Sequence, residues 1–313
     1  MSLTIRRFGR GLATVSTLAA VAMGCAKARA AAPQRFDSAE EASAALVAAA
    51  ASFDVPALKA ILGDSGAKLV QSRDRVLDGN AAKAFAAQAK VRQRVELDST
   101  GTRATLIVGA GDWPLPIPLV KDQGTWSFDA AAGRDEILRR RIGMNEFDAI
   151  GVCEGYVQAQ RAYSLRKHDG AIVNQYAQRV ISTPGKQDGL AWRDPDGTWR
   201  GPLGESIARF IAEGYSDRYE PFHGYYFRIL KAQGPNAPLG QMDFVIEGAM
   251  IGGYAMVAAP AEYLVTGVKT FIVGPDGVVY EKDFGDRTLD SFRTMQRYDP
   301  DSTWTPVQES FVP

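Results

Sequence analysis

The chain is short of the residues that carry metal and nucleophilic chemistry. Its 313 residues include two cysteines and two histidines. A zinc site draws most of its ligands from those two types, so no metal site or other cofactor is expected. Cys25 lies in the leader described below, so Cys153 stands alone in the mature chain and no internal disulfide can form. Cys153 falls in an apolar pattern of helical spacing, which predicts burial. No Gly-x-Ser-x-Gly is present, and Gly204-Glu205-Ser206 reads as a helix start. No apolar run beyond the leader is long enough to cross a bilayer. A basic excess is missing too. The whole chain has 36 basic and 36 acidic residues. Residues 1–30 hold five basic and no acidic residues, so the remainder carries 31 basic against 36 acidic, a net charge of −5. That balance argues against nucleic-acid binding, which needs a basic footprint.

What is present begins with an export signal over residues 1–30. Arg6, Arg7 and Arg10 form a basic start, and residues 11–23 are apolar or small and uncharged. Ala28-Arg29-Ala30 offers small residues at the two positions a signal peptidase reads, with cleavage before Ala31. The mature chain is therefore expected in the periplasm or outside the cell. Val21-Ala22-Met23-Gly24-Cys25 is close to a lipoprotein box, so the alternative is an anchored lipoprotein acylated at Cys25. Arg6-Arg7-Phe8 resembles a twin-arginine signal, though an ordinary basic start explains it as well.

About 280 residues remain, enough for two domains. In the first, expected over 36–135, Asp37-Ser38 caps a helix from 40 to 51. Asp54 caps a second from 55 to 62, with Pro56 in its first turn. A third covers 81–90. The period then changes to alternation: strands are predicted at 91–98, 104–108, 114–120 and 125–129, with a hairpin turn at 121–124. Three helices and a four-stranded antiparallel meander make an α+β layer. The element order resembles the NTF2-like or cystatin-like folds.

The second domain is expected over 140–297, with a C-terminal tail from 298 to 313. Arg139-Arg140-Arg141 reads as a solvated boundary. Residues 142–165 carry a helical pattern that puts Phe147, Ile150, Gly151, Tyr156, Val157 and Tyr163 on one broad face. A further helix is predicted over 171–180. Asp194-Pro195-Asp196-Gly197 is a turn, and its two aspartates lack the rest of a calcium loop. Strands follow at 224–230, 243–246 and 253–258. Thr270–Val273 and Val278–Asp283 flank Gly274-Pro275-Asp276-Gly277 as a hairpin.

Four separated segments then point to a family. His223-Gly224-Tyr225-Tyr226-Phe227, Ala259-Pro260-Ala261-Glu262-Tyr263, Thr270–Val273 and Val279–Asp283 occur in order. Together they resemble DUF2950, a family of exported bacterial proteins of unknown function, over nearly the whole mature chain. Asp283-Phe284-Gly285 stands where the family has Asp-Leu-Gly. The resemblance implies no activity. The helix opening at Asn145-Glu146, followed by a small antiparallel sheet, is also similar to a type IV pilin or pseudopilin headgroup, without the pilin's membrane segment.

The candidate chemistry is sparse. His168, at a helix end, suits a structural role. His223 with Glu220, or with Asp243 or Glu262, could form an acid/base pair. The dense aromatics Trp192, Trp199, Tyr215, Tyr219, Phe222, Tyr225 and Tyr226 suit either a core or a contact surface. Trp192, Trp199, Tyr219, Phe222 and Tyr225 are the binding candidates. The function expected is a non-enzymatic adaptor for an envelope or secretion-system protein. The alternative is a periplasmic hydrolase using His223 and Glu220.

Overall fold

The computed structural model describes residues 31–215 and 220–308. The leader, Cys25 and Tyr219 lie outside the described residues.

Helix α1 (Ala39–Ser52) starts at Ser38, whose side chain accepts from Glu41 N at 3.0 Å, while Glu41 accepts from Asp37 N at 3.1 Å. Two donors at the helix start are thereby satisfied reciprocally. Helix α2 (Val55–Leu62) is capped by Asp54. The short α3 (Ala67–Val70) leads to α4 (Arg75–Val91). Helix α4 starts ahead of the expected residue 81 because Asp74 caps it, accepting from Leu77 N at 2.9 Å. Strands β1 (Gln93–Leu97), β2 (Arg103–Val108), β3 (Trp113–Pro114), β4 (Leu119–Asp122) and β5 (Thr125–Phe128) follow. The order β1-β2-β4-β5 is an antiparallel meander, with β3 paired to β2. The single strand expected over 114–120 is broken in two, since Pro114, Pro116 and Pro118 have no ladder donor. Leu106, Leu119 and Phe128 meet Leu46, Leu58 and Leu62 in one core.

Helix α5 (Ala130–Tyr163) begins well before residue 142, because Asp129 caps it at Ala132 N. Its 34 residues extend about 50 Å. The arginine run lies inside it. Arg139 and Arg140 both pair with Glu136, at 3.1 and 2.8 Å, and Arg141 turns inward. The helix runs straight through residues 136–139, between the two expected domains. Its first turns meet the meander: Gly133 sits on the Pro116 backbone. Its later turns carry Ala149, Cys153, Tyr156 and Val157 into a second core. Asn145 and Glu146 therefore lie inside the helix and not at its start.

The helix expected over 171–180 does not form. Ile172 is 89% exposed, so the apolar pattern there buries no common face. The Gln160 side chain instead bonds Ala177 at both N and O, at 2.8 Å each, and Tyr176 N donates to Met250 O. Strands β6 (Trp192–Arg193) and β7 (Trp199–Arg200) form a small hairpin around the 194–197 turn, and α6 (Gly204–Ala212) follows.

The remaining strands are β8 (Tyr225–Leu230), β9 (Ala232–Gln233), β10 (Met242–Asp243), β11 (Val245–Ile246), β12 (Ala249–Met250), β13 (Ala255–Pro260), β14 (Lys269–Val273), β15 (Val279–Asp283) and β16 (Thr305–Pro306), with α7 (Thr288–Thr294) ahead of the last. The strand expected at 243–246 is divided between two ribbons, β9–β10 and β11–β12. The main sheet has the antiparallel order β16-β15-β14-β13-β8. Helix α5 packs on β13, β14 and β15. Glu146 accepts from Val268 N and Lys269 N at 2.9 Å, and Tyr156 OH donates to Ala255 O at 3.2 Å. The fold is mixed α+β. Among the described residues no helix is long and apolar enough to cross a membrane.

Cys153 is fully buried in the second core, and burial pushes its thiol up to about 12. The expected outcome is a thiol that ignores a disulfide reagent near neutral pH and reacts fully in denaturant. A colourimetric thiol titration, native against unfolded, checks this.

Candidate functional site

A groove of about 1240 Å³ lies beside β8. Helix α5 contributes Asp148, Gly151 and Gly155, and α6, residues 175–181 and β8 supply its other walls. A Cβ built on Gly151 or Gly155 meets nothing within 4 Å. These glycines leave open space where any larger side chain would fill the groove. Phe147, expected on the packed face of α5, is 57% exposed and lines the groove with Gly151.

His223 lies at one end. Its backbone is left-handed, with φ of 46°. That conformation costs a non-glycine residue of order 1 kcal/mol and must be held by its surroundings. The holding groups are visible. Its N–H donates to Tyr215 Oη at 3.3 Å, and its ring stacks on Phe222 at 4.1 Å. The ring nitrogen Nδ1 lies 2.6 Å from Asp148 Oδ2, and Nε2 lies 3.4 Å from Glu213 Oε2. One imidazole thus stands between two carboxylates. An imidazole held by an aspartate at Nδ1 is oriented as a general base is. Its Nε2, however, faces a carboxylate and not a hydroxyl nucleophile.

Behind His223 lies Asp74, which joins the two halves of the chain. Its carboxylate accepts from Gly224 N at 2.7 Å, from Tyr215 Oη at 3.1 Å and from Leu77 N at 2.9 Å. Burial pushes this carboxyl above its ordinary value of 3.8, against the pull of those three donors. Burial, then the charge of Asp74, drives the Tyr215 hydroxyl upward as well.

This makes a pH prediction. A raised folded pKa gives stability that is complete below the ordinary carboxylate value and is lost as pH rises through the raised one. Asp74→Asn has no such contribution and also puts an amide donor among donors. It is expected to be less stable by about 1–3 kcal/mol at neutral pH. The gap widens as pH falls toward 3.8. Urea titrations of both proteins at about pH 7 and about pH 4.5 read the sign.

The expected partners of His223 lie elsewhere in part. Asp243 pairs with Arg297 at 3.3 Å, and Glu262 pairs with Lys68. Glu220 lines the groove, but the ring bonds of His223 go to Asp148 and Glu213, which the sequence reading did not single out. His168 closes the end of α5. Its Nε2 lies 3.1 Å from Tyr163 O, and its ring stacks on Tyr163 at 4.0 Å. Asp194 pairs with Arg200, and Asp196 accepts from Thr198 N. Among the described residues no group of three or more His, Cys, Asp and Glu is placed to hold a metal ion.

The aromatic candidates do not share one surface. Tyr225 is fully buried and donates to Lys269 O at 2.9 Å. Phe222 packs against Phe210 and Tyr215 and lines the groove. Trp192 and Trp199 sit on the small hairpin, where Arg193 covers the Trp199 ring at 4.6 Å.

Fold and groove together define a mixed α+β protein in which one long helix serves two cores. The chain belongs to the family described as "Protein of unknown function (DUF2950)", which matches residues 33–307. No curated protein and no solved structure matches it.

Proposed function

We propose that this chain is an exported, non-enzymatic binding protein, an adaptor that holds another envelope or secretion-system protein in the periplasm or outside the cell. The observation that carries the reading is the groove beside β8. It is large, it is open along the glycines of α5, and its walls mix aromatic and aliphatic side chains with charged ones, among them Arg179, Asp188 and Arg209 as well as Asp148 and Glu213. A large concave site that combines apolar surface with convergent polar groups is a binding site by default. The basic leader and the small residues before Ala31 support export, with a lipid anchor at Cys25 as the alternative form. Helix α5 laid across β13–β15 supports the likeness to a pilin headgroup. The meander against α1 and α4 supports the NTF2-like or cystatin-like reading.

The 2.6 Å contact between His223 and Asp148 favours a second reading, a periplasmic hydrolase. The test separates the two. Tagged full-length chain, exported and purified, is used to capture protein from envelope extract, with untagged chain as competitor. The adaptor reading expects a competed partner and no turnover that His223→Ala abolishes. Turnover lost in His223→Ala, with no partner retained by the wild type, supports the hydrolase and overturns the adaptor.

A further inference from the structure

The outer edge of β8 is open over a short window framed at both ends. In an antiparallel strand the N–H and C=O of one residue point to the same side, and the side alternates along the chain. Gly224 O accepts from Ala261 N on the β13 side. Tyr225 therefore points outward, and there it exchanges both backbone bonds with Phe222, at 2.8 and 3.0 Å. Opposite it stands Pro260, which has no N–H to offer. Just past the far end of the strand, Lys231 O also points outward and accepts from Phe244 N at 2.8 Å. Between these two closures lie Phe227 and Ile229. Their backbone groups point away from β13, and among the described residues nothing bonds them.

Such an edge is ordinarily blunted by proline, a bulge or an inward charge. Residues 225–230, Tyr-Tyr-Phe-Arg-Ile-Leu, contain no proline. Arg228 is drawn off to the carbonyls of Phe292 and Met295 beside α7. The opposite edge of the sheet is treated differently: β16 closes it and ends in Pro306. The groove runs along the open window, with Phe227 and Ile229 in its lining and the bare glycines of α5 beyond them.

We propose that the groove takes one extended polypeptide segment of another protein, which adds as a strand to β8 through the outward groups of Phe227 and Ile229. The proposal rests on the adaptor reading and names the chemistry of its partner. Strand addition uses main-chain bonds for affinity and alternate side-chain pockets for choice of sequence. Two outward residues offer four such bonds. A groove of about 1240 Å³ walled by α5, α6 and residues 175–181 suits an extended segment, whereas a second copy would bring the same walls into the same space. Charge sets the orientation. Asp148 and Glu213 share one imidazole at the Tyr225 end, and Lys231 lies at the other. The segment that fits carries strand-forming apolar residues and a Lys or Arg beside Asp148 and Glu213.

The probe is a random linear peptide library displayed on phage, selected on the exported full chain. Enriched peptides are synthesised, and amide hydrogen exchange is followed residue by residue with and without them. The expected result is slowed exchange at Phe227 and Ile229, with Tyr226 and Arg228, already bonded to β13, unchanged. Ile229→Pro removes one outward N–H and no β13 bond, so it weakens the peptide at least about tenfold more than Ile229→Ala, which trims the same side chain but keeps the N–H. If Ile229→Pro fails to fold, the exchange pattern of the wild type decides. A peptide that binds in the groove without protecting Phe227 and Ile229 overturns strand addition and leaves the adaptor reading standing. Protection of those amides by self-association, without peptide, makes the occupant a second copy and overturns the proposal. Selection of no peptide above background, together with no captured envelope protein, overturns both.

Discussion

Replacing Arg141 with alanine is expected to cost about 3–5 kcal/mol of stability, read as a shift in the urea midpoint at unchanged slope. Arg141 is reached by three acceptors. Its guanidinium donates to Lys68 O at 2.9 Å and to Leu69 O at 2.7 Å, and it lies 3.6 Å from Asp78. Burial lowers the Arg141 pKa, and burial raises that of Asp78, so both partners are pushed away from their charged forms. The intact pair is therefore not a large net gain. Its removal from one side is the costly event, because Asp78 then stays buried with only Ser72 to satisfy it. Two carbonyls of α3 also lose their donor. A loss below about 1 kcal/mol would show that water reaches Asp78 and replaces the guanidinium.

Gly133→Ala is expected to destabilise by about 1–3 kcal/mol, and Gly143→Ala on the same helix to stabilise by about 0.5–1 kcal/mol. Helix propensity favours alanine equally at both. What differs is the space. A Cβ on Gly133 would lie 2.7 Å from the Pro116 carbonyl carbon and 2.8 Å from Ile117 Cα. Those are backbone atoms and cannot swing aside. A Cβ on Gly143 meets nothing within 4 Å. Overpacking outweighs propensity at the first, and propensity acts alone at the second. Thermal melts of the two variants against the wild type give opposite signs. A common sign would contradict the packing of α5 on the meander.

The parts of this fold written in local sequence were readable. Ser38 and Asp54 announced their helices, because a cap needs one polar side chain and an apolar run. The 274–277 turn announced the β14–β15 hairpin in the same way. Where a tertiary contact decides, the sequence was silent. Helix α5 passes through Gly133 and three consecutive arginines, which reads as a break until Pro116 and Asp78 are in place to receive them. Residues 171–180 have helical spacing, but the side chain of Gln160 claims their backbone. The site divides along the same line. His223 stood out as one of two histidines. Asp148 lies 75 residues before it and gave no local signal, since it sits on a helix whose apolar pattern drew the eye to its neighbours. That β8 ends the sheet is a fact of strand order, which no short stretch of sequence contains.

The proposed function places another protein in the groove beside β8. Gly151→Leu tests it most directly. The leucine stands in the open space of the groove and replaces an exposed mid-helix glycine, so stability is unchanged or slightly raised. The measurement is capture of envelope protein by this variant beside the wild type, with melting temperature as the check on fold. The expected result is a folded variant that no longer retains the competed partner. A folded Gly151→Leu that captures the same partner at the same strength would contradict it and place the contact surface elsewhere on the chain.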